Sequence, residues 1–237
     1  MKFGVNIDHI ATLRNARGGD EPDLLTGMRE AIRAGCDSIV CHLRMDRRHI
    51  RDNDIYSVKK ECGLPLNFEA SLEPEIVDII LDIKPEITTL VPEKREEVTT
   101  EGGLDVVKNM DRLKKNIPYL KAKGITVSLF VDPELDIIDA VKESGAESIE
   151  LHTGKYSNLS GKAQEEEFKK LVAAADYAKK IGLFVAAGHG LNYKNTAPIA
   201  GIKSIEELNI GHSIISRSIF IGLYNAVKEM QSIIKNN

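Results

Sequence analysis

The chain has 237 residues, 42% hydrophobic and 29% charged, with a formal net charge of −4. This is ordinary globular composition, enough for one large domain or two small ones. It argues against a general nucleic-acid binder, and no apolar stretch is long enough to cross a membrane. The start, Met1-Lys2-Phe3-Gly4-Val5-Asn6-Ile7-Asp8, meets Asn and Asp too early for a signal peptide. Cys36, Cys41 and Cys62 follow no ligand or disulfide spacing and read as small buried hydrophobes in a reducing cytoplasm.

Strand-like runs alternate with helical patterns along the whole chain. The first run, near 2–8, alternates Phe3, Val5 and Ile7 with Gly4, Asn6 and Asp8. Pro22 opens a helical pattern that passes Leu24, Leu25, Met28 and Ile32 and ends at Gly35, a C′ glycine. A strand near 38–44 alternates Ile39, Cys41 and Leu43 with His42 and Arg44, and a helix over 53–62 follows. A strand near 65–70 carries Asn67 and Glu69, then come a helix over 73–83 and a strand near 86–91. The spacing next predicts helices over 104–123, 134–144, 162–181, 194–201 and 213–235. Strands fall between them near 126–132, 148–153, 184–189 and 207–211, and 157–167 reads as a surface loop. Gly124, Gly145 and Gly182 each close a helix.

Eight β/α units of about 30 residues each predict a single (β/α)₈ TIM barrel of the α/β class over residues 1–237. A doubly wound sheet is the runner-up, but no G-x-G-x-x-G follows the first strand. Alternate strand positions point to opposite faces, so the apolar ones face the helices. The polar ones face the interior or rim: Asn6, Asp8, His42, Arg44, Asn67 and Glu69 in the first half, then Ser128, Asp132, Glu150, His152, His189 and Asn209. Buried polar groups are costly unless paired or hydrated, so the interior is expected to be polar and partly hydrated.

All six histidines lie in or just after predicted strands, where barrel enzymes keep their chemistry. Imidazole is suited to proton transfer near neutral pH. A desolvated Glu69 is suited to acid–base work, or else pairs permanently with Arg44 or Arg17. Glu150 shares a strand face with His152 and could orient a neighbour instead. Ala187-Gly188-His189-Gly190 and Asn209-Ile210-Gly211-His212-Ser213 follow strands seven and eight. That is the habitual phosphate position of this fold, and the second motif opens a helix whose N-terminus favours an anion. Arg44-Met45-Asp46-Arg47-Arg48-His49-Ile50-Arg51 is either a second anion site or a solvated basic loop. Residues 93–103 are long, polar and glycine-jointed, as a lid would be. No metal-ligand spacing is found, with Asp8 and His9 read as pointing to opposite sides of a strand. No strand interior offers a Schiff-base lysine.

The runs Val5-Asn6-Ile7-Asp8-His9-Ile10-Ala11-Thr12-Leu13-Arg14-Asn15-Ala16-Arg17 and His42-Leu43-Arg44-Met45-Asp46-Arg47-Arg48-His49-Ile50 closely resemble the pyridoxine 5′-phosphate synthase family of the deoxyxylulose-dependent vitamin B6 route. So do Thr99-Thr100-Glu101-Gly102-Gly103, Glu150-Leu151-His152-Thr153-Gly154 and Gly188-His189-Gly190-Leu191-Asn192-Tyr193, and the resemblance spans the chain in order. One departure is Asn67-Phe68-Glu69-Ala70-Ser71 where Asn-Leu-Glu-Met-Ala is more usual; the Glu is kept. The resemblance implies cofactor-free condensation of 3-amino-2-oxopropyl phosphate with 1-deoxy-D-xylulose 5-phosphate, without a metal. It implies Glu69 and His42 as bases, His189 as general acid and Glu150 as a stabiliser of charged intermediates. Asn6, Arg17, Gly190, Gly211 and His212 would hold the aminoketone phosphate. Asp8, His9, Arg44, His49 and Thr99 would hold the pentulose phosphate and then released phosphate. It also implies a homo-octamer built from dimers. The rival readings are a phosphosugar isomerase or aldolase and a non-catalytic phosphate-binding barrel, which fold alone does not separate.

Overall fold

Each alternating run forms a strand in the computed structural model, which describes residues 1–93 and 102–237. The strands are β1 (Lys2–Asn6), β2 (Ser38–His42), β3 (Leu66–Ala70), β4 (Ile87–Leu90), β5 (Thr126–Val131), β6 (Ser148–His152), β7 (Phe184–Gly188) and β8 (Glu207–Ile210). All neighbours pair in parallel and in chain order. β1 closes the barrel onto β8 with Lys2 opposite Glu207 and Gly4 opposite Asn209. The helices are α1 (Asp8–Arg17), α2 (Leu24–Arg33), α3 (Asp52–Glu61), α4 (Pro74–Ile83), α5 (Met110–Ala122), α6 (Leu135–Ser144), α7 (Gly154–Asn158), α8 (Gly161–Lys180), α9 (Thr196–Ala200), α10 (His212–Ile221) and α11 (Leu223–Lys235). None of them is long and apolar enough to cross a membrane.

The sequence reading needs four corrections. The chain leaves β1 at Asn6 and turns at once into α1, so Asp8 and His9 begin a helix and do not sit on opposite sides of a strand. α2 starts at Leu24, where the Asp23 carboxylate accepts from the Thr26 amide, a stronger start signal than Pro22. Residues 154–158 form α7, and α8 follows at Gly161, inside the stretch read as loop. The final helix is two: Gly222, at φ 78° and ψ 151°, adopts a conformation that side-chain-bearing residues avoid and turns the chain between α10 and α11. Gly35, Gly124, Gly145 and Gly182 have positive φ just beyond helices, as read.

The apolar face of each strand packs outward against the helices: Val5, Ile39, Phe68, Leu129, Leu151 and Leu208 are buried in one continuous hydrophobic layer. The inner face is different. Ser38 Oγ donates to Glu207 at 3.3 Å, Thr89 Oγ1 to Asn67 Oδ1 at 2.8 Å, and Asn209 Nδ2 to Glu150 Oε2 at 2.6 Å. Ser128 Oγ and Asn209 Oδ1 are buried without a protein partner, the kind of group ordered water satisfies. Gly188 makes room for this layer, since a Cβ there would lie 2.3 Å from Glu150 Oε1.

One ion pair ties α1 to α3. Arg14 grips Asp54 with two parallel bonds of 2.7 Å each, and Arg14 is buried. Removing the carboxylate in Asp54→Ala strands a buried guanidinium, so we expect a loss of ~3–5 kcal/mol in denaturant unfolding. A loss below about 1 kcal/mol, as for an exposed pair, would show the contact to be idle.

Candidate active site

A cavity of about 390 Å³ opens at the C-terminal ends of the strands. Parallel register explains its composition. His42 ends β2 directly beside Glu69 on β3, bringing His42 Nδ1 to 4.0 Å from Glu69 Oε2. Phe130 on β5 lies beside Glu150 on β6. His189 follows β7, at φ 78°, and Gly211 precedes the N-terminus of α10. All these residues line the cavity. Glu69 has no arginine within ion-pair distance among the described residues, so the permanent pairing with Arg44 or Arg17 is not what the fold builds.

Asn6 and Asp8 lock the exit of β1. The Asn6 side chain accepts from the Asp8 amide and donates to Asp8 Oδ2, both at 2.9 Å, while Asp8 Oδ1 accepts from the His42 amide at 2.9 Å. Asp8 thereby bridges β1 and β2 under the cavity. Asp8, His42 and Glu69 bring ligand-type atoms within 4.8 Å of one another, a cluster able to hold a cation. No sequence spacing announces it, because its members come from three elements. His9, His49 and His212 gather on the other side. The His9 ring centroid lies 5.4 Å from that of His49 and 5.0 Å from that of His212.

Burial disfavours the charged form of the carboxyl groups and of several of the imidazoles. It pushes Asp8 up to about 7 and Glu150 up to about 7. It pushes Glu69 well above the usual carboxylate range, reinforced by Glu150 and Asp8. The imidazoles move the other way. Burial, aided by Arg44, takes His42 down to about 3. Burial and neighbouring imidazoles take His9 and His189 down to about 4. His49 is lowered by burial and then by Arg44 and Arg48. Near neutral pH the cavity therefore sets carboxyl groups that retain protons to an unusual degree beside neutral imidazoles.

Most residues singled out in the sequence meet here: Asn6, Asp8, His9, His42, Arg44 and His49 from the first units, and Glu69, Glu150, His189, Gly190, Gly211 and His212 from the rest. Arg17 does not; it ends α1 exposed, outside the cavity lining. Thr99 lies outside the described residues, as does most of the expected lid. The lid's described flanks are anchored: the Met45 amide donates to Glu93, the Gly103 amide to Asp132 at 3.1 Å, and the Leu104 amide to Phe130 O at 2.7 Å. Arg47 and Arg48 engage Asp52, Glu75 and Asp46, so the solvated reading suits them, while Arg44 is buried at the cavity. His152 pairs with Asp132, Nδ1 to Oδ1 2.9 Å, instead of with Glu150. The sequence reading missed Phe130, whose apolar residue type signals core. It also missed Thr12, on the unrecognised helix α1.

The fold and the cavity define a (β/α)₈ barrel of the enzyme type, with carboxyl and imidazole groups gathered at the C-terminal face of its sheet. A family model described as "Pyridoxal phosphate biosynthesis protein PdxJ" matches residues 3–236. The chain is 55% identical to pyridoxine 5′-phosphate synthase of Sulfurihydrogenibium sp. (strain YO3AOP1), over 100% of this chain and 98% of that one. It is 52% identical to pyridoxine 5′-phosphate synthase of Coxiella burnetii (strain RSA 493 / Nine Mile phase I), over 99% and 98%. The chain belongs to the PdxJ family, the pyridoxine 5′-phosphate synthases of vitamin B6 biosynthesis. Among solved structures, N-(5′-phosphoribosyl)anthranilate isomerase of Pyrococcus furiosus is similar with a TM-score of 0.65 at 13% identity, covering 100% of both chains, which is a likeness of fold.

These ionisation states affect stability. A carboxyl whose folded pKa exceeds its unfolded one favours the fold at low pH and loses that contribution as pH rises toward the folded value. Histidines lowered by burial act oppositely: their contribution is present above the unfolded pKa and lost as pH falls. Glutamine at position 69 mimics the protonated acid at every pH. We therefore expect Glu69→Gln to melt above the parent protein at about pH 8, with the gap closing toward about pH 4. A pH-independent difference in Tm would contradict the raised Glu69.

Proposed function

We propose that residues 1–237 act as one catalytic domain that condenses 3-amino-2-oxopropyl phosphate with 1-deoxy-D-xylulose 5-phosphate, giving pyridoxine 5′-phosphate, inorganic phosphate and water. The observation that carries this beyond family membership is the pairing of His42 with Glu69 across adjacent strands, facing His189 and Glu150 in one cavity. The substrate amine attacks the ketone of the other substrate, and loss of water from that adduct needs a proton donor at the leaving oxygen. A protonated Glu69 supplies it. Subsequent C–H abstractions need a base, and neutral His42 serves; once ionised, Glu69 serves as well. His189 gains a proton when an anion enters and then acts as acid. Glu150, held by Asn209, stabilises cationic intermediates.

Both substrates are phosphorylated. Asn6, Gly190, Gly211 and His212 are proposed to hold the aminoketone phosphate, aided by the N-terminus of α10. Asp8, His9, Arg44, His49 and Thr99 are proposed to hold the pentulose phosphate. The exposed position of Arg17 does not support its assigned part. No Schiff-base lysine or carbonyl cofactor is needed in this reading, because the substrate amine itself forms the imine. No lysine lines the cavity among the described residues, which weighs against class I aldolase chemistry.

A homo-octamer built from dimers remains our proposal for the assembly. Ile219 and Phe220 at the end of α10 are 67% and 80% exposed, an apolar pair suited to an interface. A cytoplasmic location fits the three free, buried thiols.

The test is to incubate the exhaustively chelated protein with both substrates. We expect pyridoxine 5′-phosphate and inorganic phosphate to form, and Glu69→Gln to lower turnover ~10²–10⁴-fold. Turnover restored only by a divalent ion, or near-normal turnover in the variant, would overturn the proposal.

A further inference from the structure

Thr12 lies one turn into α1 and touches three groups. Its Oγ1 is 3.2 Å from the Asp8 carbonyl oxygen, 3.2 Å from His9 Nδ1 and 2.8 Å from His49 Nδ1. A hydroxyl has one proton and two lone pairs, and a carbonyl oxygen only accepts. Donation to Asp8 O is the back-bond threonine commonly makes in a helix. Both lone pairs then remain for the two rings, and each is filled only if its Nδ1 carries a proton. With its proton given to Asp8 O, one hydroxyl would set the tautomer of both imidazoles. It leaves Nε2 of each as the ring nitrogen open to the cavity that both residues line.

The same helix face holds His49 a second way. Asn15, three residues on, donates from Nδ2 to the carbonyl oxygens of His49 at 2.7 Å and Arg48 at 3.0 Å. His49 belongs to an irregular segment between β2 and α3, with no regular hydrogen-bond ladder to fix it. Thr12 orients its ring and Asn15 its backbone. The two ring centroids, 5.4 Å apart, lie close enough to converge on one tetrahedral anion.

We propose that Thr12 is a positioning residue for a substrate phosphate, locking His9 and His49 as Nδ1–H tautomers so that both turn Nε2 toward the same phosphate group. This rests on the synthase reading above, which assigns the pentulose phosphate to these histidines. A ring held this way takes its second proton at Nε2, facing the anion, without rotating.

The experiment compares Thr12→Val, which keeps the shape and removes the hydroxyl, with Thr12→Ser, which restores it. In the unaltered full-length protein, ¹⁵N NMR of the histidine rings should show Nδ1–H tautomers for His9 and His49. Added inorganic phosphate should protonate Nε2 of both. Thr12→Val should mix the tautomers and raise KM for the pentulose phosphate ~10-fold with kcat little changed. Thr12→Ser should return both readouts to near the parent values. Nε2–H tautomers in the unaltered protein, or an unchanged KM in a folded Thr12→Val, would overturn the proposal. If the valine variant does not fold, the tautomers of the unaltered protein decide alone. A protein that shows the expected tautomers but makes no pyridoxine 5′-phosphate would refute the synthase reading and leave the role of Thr12 in anion binding standing.

Discussion

Desolvation of titratable groups inside a closed barrel is the constraint from which the rest of the site follows. A barrel interior is ordinarily packed with branched aliphatics. Here the upper interior holds Glu150, His42 and Asn209, all nearly inaccessible, with Glu69 and Asp8 at the same level. Charge in such a place is costly, so carboxyl groups keep their protons and imidazoles shed theirs. Uncharged acid beside uncharged base is the pairing that repeated proton transfer and dehydration require. The fold produces it chiefly through burial, reinforced by like-charged neighbours.

The scaffold must bear that cost elsewhere. The outer faces of the strands form a continuous apolar layer with the helices, and the lower interior is a set of short polar pairs such as Ser38 with Glu207 and Thr89 with Asn67. Gly188 gives up a side chain so that Glu150 can occupy the interior. α1 links scaffold and site. Its apolar side packs on the barrel, Arg14 clamps α3, and Thr12 and Asn15 hold the segment that carries His49. A single ten-residue helix therefore joins the stability of the first three units to the geometry of the anion-facing histidines.

Much of this was legible in the sequence. Period-two alternation marked the runs at 3–8, 39–44, 66–69, 149–152 and 208–211, because only a sheet turns alternation into two faces, and the short apolar runs between helical patterns supplied the remaining strands. Strand register then brings together His42 and Glu69, each recognisable alone as a polar residue at a strand end. α1 was not legible, since Val5-Asn6-Ile7-Asp8 continues the alternation past the true strand end and hides the turn. Asn6, by bonding both the amide and the carboxylate of Asp8, breaks the strand there, a tertiary fact with no periodic signature. Thr12 was lost with the helix. Phe130 was lost because an aromatic residue in a strand reads as core, yet β5 turns it inward onto His152 and His189, with ring centroids 5.1 and 6.3 Å away. The Asp8–His42–Glu69 cluster spans three elements and could not be found by spacing.

The central claim is that burial raises the carboxyl groups of the cavity and keeps its buried imidazoles neutral, so that the protein gains protons when an anionic ligand enters. Calorimetric titration of the ligand-free protein near pH 7 with sulfate, a tetrahedral anion that does not itself titrate there, repeated in buffers of different ionisation enthalpy, measures this directly. An anion stabilises protonated His9, His49 and His189 and holds the carboxyl protons more firmly, so every coupled group shifts in the same direction. The account predicts net proton uptake by the protein on binding. Binding with no proton exchange, or with proton release, would contradict it.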